Sequence, residues 1–121
     1  MELDAALREA VGRGDFSIAF QPIVDLDCAS TYALEALLRW RHPALGDVSP
    51  ARFVPLAEEM GLVPRLTEWV FAEVCRHLTL WARVVPQVPR IAINISPVCF
   101  REESQFARIA DIIDAAGLSP A

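Results

Sequence analysis

Long apolar runs are missing from this sequence, and so is any excess of positive charge. No uninterrupted apolar stretch approaches the roughly 18 residues that a membrane span needs. The opening Met1-Glu2-Leu3-Asp4 carries acid where a secretory signal carries base, which makes the cytoplasm the expected location. Acidic residues number 16 against 11 basic ones, for a formal net charge of −5. A duplex-binding module shows the opposite sign and a clustered basic face, so polymeric nucleic acid is not an expected partner. A small phosphate ligand needs only one or two well-placed cations, and Arg39 and Arg41 are the one close basic pair of note. Cysteine is scarce as well. Cys28, Cys75 and Cys99 are an odd number, widely spaced and without a Cys-x-x-Cys pair, which excludes a disulfide framework. His42 and His77 do not join them at any zinc-like spacing. Repeats, low-complexity stretches and dividing linkers are also missing.

What is present is a single small globular unit of 121 residues, 54% apolar. That fraction is high for a domain with so much surface, and it implies apolar faces that something outside these residues covers.

The periodicity predicts a short amphipathic helix over 2–11, with Leu3, Leu7, Ala10 and Val11 on one stripe and Gly12 and Gly14 ending it. Phe16 to Phe20 alternates as a strand closed by Gln21-Pro22. Tyr32 to Trp40 suits either a strand or a helix. The polar turn before it and the His42-Pro43 stop favour the strand. Ser49-Pro50 reads as an N-cap with proline in the first turn, opening a helix to Met60 that is expected to break near Pro55. Gly61 is its stop. Pro64 opens the longest helix, to about Val84, with Leu66, Val70, Val74 and Leu78 on its apolar stripe. A third strand follows over 90–96, then a last helix over 102–116 capped by Gly117. This alternation belongs to the α/β class.

In the second strand Leu34, Ala36, Leu38 and Trp40 share one face, while Glu35, Leu37 and Arg39 share the other. Glu35 and Arg39 lie about 13 Å apart at ~3.3 Å per residue, far enough to hold a metal and a phosphate at separate points. An ordinary solvated face reads the same way. In the third strand Ile91, Ile93 and Ile95 share a face, opposite Ala92, Asn94 and Ser96. An amide oxygen at the carboxyl end of a strand suits a hard cation, and an asparagine before Pro97 equally suits a turn. Spacing leaves both pairs of alternatives open.

Four segments go further: Gln21-Pro22-Ile23-Val24; Glu35-Ala36-Leu37-Leu38-Arg39-Trp40 with His42-Pro43; Phe53-Val54-Pro55-Leu56-Ala57-Glu58-Glu59 with Gly61-Leu62; and Asn94-Ile95-Ser96 with Phe100. In this order and with these gaps they resemble the EAL domain family. The resemblance runs from about Phe16 onward and includes the tripeptide that names the family.

It implies the N-terminal half of a modified TIM-like (β/α)8 barrel whose first strand runs against the others. Residues 1–14 form a leading helix and 15–121 the first strands and helices of one partial domain. The implied activity is metal-dependent hydrolysis of cyclic di-GMP to linear pGpG. Glu35 and Asn94 inherit metal ligation by magnesium or manganese, Arg39 a substrate phosphate, and Gln21 a place against the ligand. The family's helix bearing Glu58 and Glu59 is expected to lie away from the strand ends. Two departures stand out. The 27–31 turn has no glycine. The family's later metal-binding glutamate, paired aspartates, lysine, further glutamate and glutamine are not among these residues, and full barrels of this type take about 250 residues and eight strands. The chain alone is therefore expected to bind metal weakly and to lack hydrolytic activity. It is expected to self-associate or to recruit a complementary C-terminal half. The competing reading is a catalytically dead fragment serving as a nucleotide- or protein-binding module.

Overall fold

The computed structural model describes residues 2–25, 30–85, 88–93 and 103–117. The elements are α1 (Leu3–Arg13), β1 (Ser17–Asp25), β2 (Ser30–His42), β3 (Gly46–Val48), α2 (Pro50–Glu59), α3 (Val63–Trp81), β4 (Arg90–Ile93) and α4 (Glu103–Ala115). β2 is the hub. β1 pairs with it antiparallel, from Ser17 opposite Arg39 to Asp25 opposite Ser30. β4 pairs with it parallel, Leu34 with Ile91 and Ala36 with Ile93. A parallel partner needs a crossover, and α2 and α3 supply it. A first strand opposed to its neighbours, followed by parallel strands linked through helices, is the expected opening of the modified barrel.

Two apolar clusters hold these elements together. The first joins Ala6, Leu7, Ala10 and Val11 of α1 to Trp40, Val48, Phe53, Ala57, Leu62, Val63 and Leu66. Phe53 and Leu7 are fully buried. Trp40 and Phe53 meet edge to face at 5.6 Å, and Phe16 sits 5.9 Å from each. The second lies under α3, where Val70 and Val74 cover Ala36, with Ile18, Phe20, Leu38, Ile91 and Ile93 packed around them. The leading helix is thus part of the core. Its end is fixed by Gly14, whose φ of 71° favours glycine and where a Cβ would lie 2.8 Å from Trp69 Nε1.

Several boundaries differ from the sequence reading. β1 does not close at Gln21-Pro22 but continues through Pro22, opposite Leu34, to Asp25. Proline is tolerated on a strand with one neighbour, because its nitrogen can face away from the ladder. β3 was not anticipated. It returns along the end of β2, with Trp40 opposite Val48 and His42 opposite Gly46. His42 Nδ1 closes the turn by accepting the Ala44 and Leu45 amides at 3.0 and 3.2 Å. α2 does not break at Pro55. It runs unbroken from its Ser49 cap, whose Oγ accepts the Ala51 amide at 3.2 Å. One lost backbone bond is offset by the burial of Phe53 and Ala57 on the same helix. α3 stops at Trp81, and the residues to Val85 form a final turn through Val84 and Val85 amides donating to the Trp81 carbonyl. Of the third predicted strand, 94–96 lie outside the described residues.

Candidate functional site

Alternation along β1 and β2 sorts the sheet into two faces. Ile18, Phe20, Ala36 and Leu38, with Ile91 and Ile93 of β4, pack under α3. The intervening residues point the other way. Gln21 stands directly opposite Glu35 in the antiparallel register, and Ser17 opposite Arg39. Residues facing each other across such a pair have Cβ atoms about 4.5–5.5 Å apart. Two of the predicted site residues, Gln21 and Glu35, are therefore side by side. On the other flank of β2, Glu35 is level with Ala92 of β4.

Arg39 lies on the same face, four residues toward the carboxyl end of β2. It is exposed, and its Nη1 donates to the Leu38 carbonyl at 3.2 Å. Glu35 is half-buried and Gln21 exposed. Asn94, the fourth predicted residue, lies outside the described residues. Ile93, which precedes it, pairs with Ala36.

Beside Arg39 a groove of about 480 Å³ opens between the strand end and the helices, walled by Leu37, Val54, Pro55, Val63 and Thr67 among others. Glu58 lines it too, which corrects the expectation that this carboxylate sits away from the strand ends. Ala51, Val54, Pro55 and Glu58 recur at helical spacing, so one stripe of α2 faces the groove. That stripe was legible as a helix face. What it would face was not. Glu59 is exposed and does not line the groove.

Glu35 and the amide oxygen of Gln21 are hard oxygen donors of the kind magnesium or manganese takes. Among the described residues no three His, Cys, Asp or Glu side chains converge as a metal cage. The fit is to part of an oxygen ligand set, with other members to come from elsewhere. Among the described residues, no cysteine serves this face. Cys75 is buried in α3, where burial pushes its thiol up and away from the reactive thiolate, and Cys28 and Cys99 lie outside the described residues. Among the described residues, no helix is long and apolar enough to cross a membrane.

Comparison with known proteins agrees with this fold. The EAL domain family profile matches residues 4–121. The chain is 36% identical over 116 residues to the oxygen sensor protein DosP of Escherichia coli strain K12, covering 96% of this chain and 14% of that protein. It is 46% identical over 93 residues to a cyclic di-GMP phosphodiesterase of Pseudomonas aeruginosa, covering 75% and 16%. Among solved structures, the PaMucR phosphodiesterase in complex with c-di-GMP superposes with a TM-score of 0.90 at 33% identity, over 99% of this chain and 49% of that one. The EAL enzyme Bd1971 bound to cAMP and cyclic di-GMP gives 0.81 at 26% identity, over 96% and 33%. The chain spans at most about half the length of these proteins. An antiparallel first strand, a parallel β2–β4 pair and a family profile over nearly every residue lead to one assignment: this chain belongs to the EAL domain family and forms part of its TIM-like barrel.

Proposed function

We propose that these residues supply the first part of the active site of a metal-dependent cyclic di-GMP phosphodiesterase. The observation that carries the reading is the shared face of β2, with Glu35 beside Gln21 and Arg39 two strand positions beyond Leu37. The c-di-GMP complex of the PaMucR phosphodiesterase supports the same ligand class.

In this reading Glu35 and Asn94 hold divalent metal, which when bound supplies Lewis-acid stabilisation and an activated water. Arg39 donates its planar fork to a non-bridging phosphate oxygen, a charge-assisted contact that fixes the diester. Gln21 lies against the bound nucleotide. The apolar groove beside Arg39 takes up part of the ligand and excludes water from it. Water adds to phosphorus, one P–O ester bond breaks, and the ring opens to linear pGpG. The lysine and aspartates that the family resemblance expects later in the barrel complete the site. Among the described residues β1 and β4 each pair only with β2, and the free edge of each is where a further strand joins.

A second reading is a catalytically dead module that only binds nucleotide or protein. A hydrolysis assay with magnesium or manganese separates the two. The full natural protein is expected to turn over cyclic di-GMP. Glu35→Ala should lower that rate by roughly 10³-fold, since several kcal/mol of charge stabilisation are lost. The isolated 121-residue chain should show no turnover by itself, and should gain it when mixed with the remaining barrel. Full-length protein that binds cyclic di-GMP without hydrolysing it would select the binding-module reading.

A further inference from the structure

The β2–β3 hairpin turns on one imidazole. His42 Nδ1 accepts the Ala44 and Leu45 amides at 3.0 and 3.2 Å. A ring nitrogen that accepts carries no hydrogen, so His42 is neutral here, with its hydrogen on Nε2. The ring is half-buried and meets the buried Trp40 edge to face, centroids 6.1 Å apart, which fixes its orientation. The turn needs this support. β3 has only three residues, and so short a ladder holds a hairpin weakly. Charged groups near the ring are Glu9 and Arg13 of α1, Asp15, and Arg41 of β2, with Asp47 of β3 opposite Arg41. Glu9 and Arg13 pair with each other at 2.7 Å. Beyond the turn, Val48 anchors β3 in the first apolar cluster, and Ser49 caps α2. Pro50, Ala51, Val54, Pro55 and Glu58 of that helix line the groove beside Arg39. A single residue therefore separates the hairpin from the helix that walls the groove.

We propose that His42 is a positioning residue for the nucleotide groove: its neutral Nδ1 sets the 43–45 turn and, through β3, holds α2 in place beside Arg39. The inference rests on the cyclic nucleotide reading above. Protonation puts a hydrogen on Nδ1, where the two amides need a lone pair. The turn then loses both of its side-chain bonds, and α2 is held less firmly at its start. Arg39 keeps the phosphate in either state. His42 acts on the width of the groove, so it changes how well the nucleotide is held more than how fast the held nucleotide reacts.

The test compares the full natural protein with its His42→Asn and His42→Ala variants. The asparagine oxygen stands where Nδ1 stands and can accept the same amides at any pH, whereas alanine offers no acceptor. Deuterium exchange of the peptide spanning 43–48, corrected for intrinsic rates, reads the turn. Steady-state hydrolysis of cyclic di-GMP reads the groove. At pH about 8, His42→Ala should exchange faster and raise KM about three- to tenfold, the worth of one net hydrogen bond, with kcat within twofold. His42→Asn should match the parent in both. As pH falls to about 5.5, across the histidine range, the parent should move toward His42→Ala while His42→Asn keeps its protected turn. Glu9, Asp15 and Asp47 are present in all three proteins, so their titration cancels from the comparison. Turn exchange that is alike in all three and flat with pH would overturn the proposal. Equal losses in both variants would overturn it too, as would faster exchange with KM unchanged. A parent without turnover fails the functional reading itself, and the exchange pattern still decides the role of His42 in the turn.

Discussion

The two faces of β2 carry residues of opposite kinds from alternate positions of the same strand. Ala36, Leu38 and Trp40 go to the helix side, where Ala36 and Trp40 are buried and Trp40 joins the aromatic cluster with Phe53. Glu35, Leu37 and Arg39 go to the other, half-buried or exposed, with Gln21 alongside. The helix side holds the strand in place by burial, and Ala36 and Leu38 also reach the wall of the groove. The other side carries charge that no described element neutralises at Glu35. Burial and charge are thereby separated by a single step along the chain, and a change of charge on one face should leave the packing of the other nearly untouched.

The sharpest way to break that separation is to empty the helix side. Phe53→Ala removes a fully buried ring from between Phe16 and Trp40 and should cost about 3–5 kcal/mol, read as a lower denaturant midpoint. Nucleotide affinity, measured at a temperature where the variant remains folded, should change little. On the opposite face, Arg39→Ala should do the reverse. In the proposed reading it removes a charged hydrogen bond to phosphate, worth roughly 1.5–3 kcal/mol, so cyclic di-GMP affinity should fall by about 10- to 100-fold with the melting temperature unchanged. A large loss of stability from Arg39→Ala would show that the two faces are coupled.

The smallest effect lies on α3, away from both faces. The Arg76 side chain, hydrogen-bonded to Glu73, holds that carboxyl below the usual carboxylate range, against the opposing pull of partial burial. A depressed folded-state pKa means the contribution is fully present above the ordinary glutamate value of about 4.3 and fades as pH falls through the lower folded value. Wild type and Glu73→Gln should therefore differ slightly in melting temperature at pH 7, by about 2 °C at most for a largely solvated pair, and converge as acidification passes below the lowered folded value. A difference that grows on acidification would contradict the assignment.

Much of this was readable from the residues alone. Alternation in β2 gave both faces, and the Ser49-Pro50 cap and the Gly61 and Gly117 stops follow from local backbone chemistry, with φ values of 69° and 72° at the two glycines. The pairing of Gln21 with Glu35 was not readable, because register depends on where two strands meet, and the alternation stops at Phe20 while β1 runs on to Asp25. Pro55 misled for a related reason. Propensity counts the lost bond, whereas the helix survives on the burial of Phe53 and Ala57, which only tertiary packing reveals. Glu58 reached the groove by the same route. Asn94 was singled out by resemblance and lies outside the described residues.

The order in which β2 acquires its neighbours also has a kinetic side. β1 is close to it in sequence, and an antiparallel pair with so short a separation along the chain closes within microseconds. β4 pairs Ile91 with Leu34 across more than fifty intervening positions, and that closure must wait for α2 and α3 to bring the chain back. The flank of Glu35 facing Gln21 is thus assembled early, and the flank facing Ala92 late. A nascent chain emerging from the ribosome would hold half of this carboxylate's surroundings long before the second half had been synthesised.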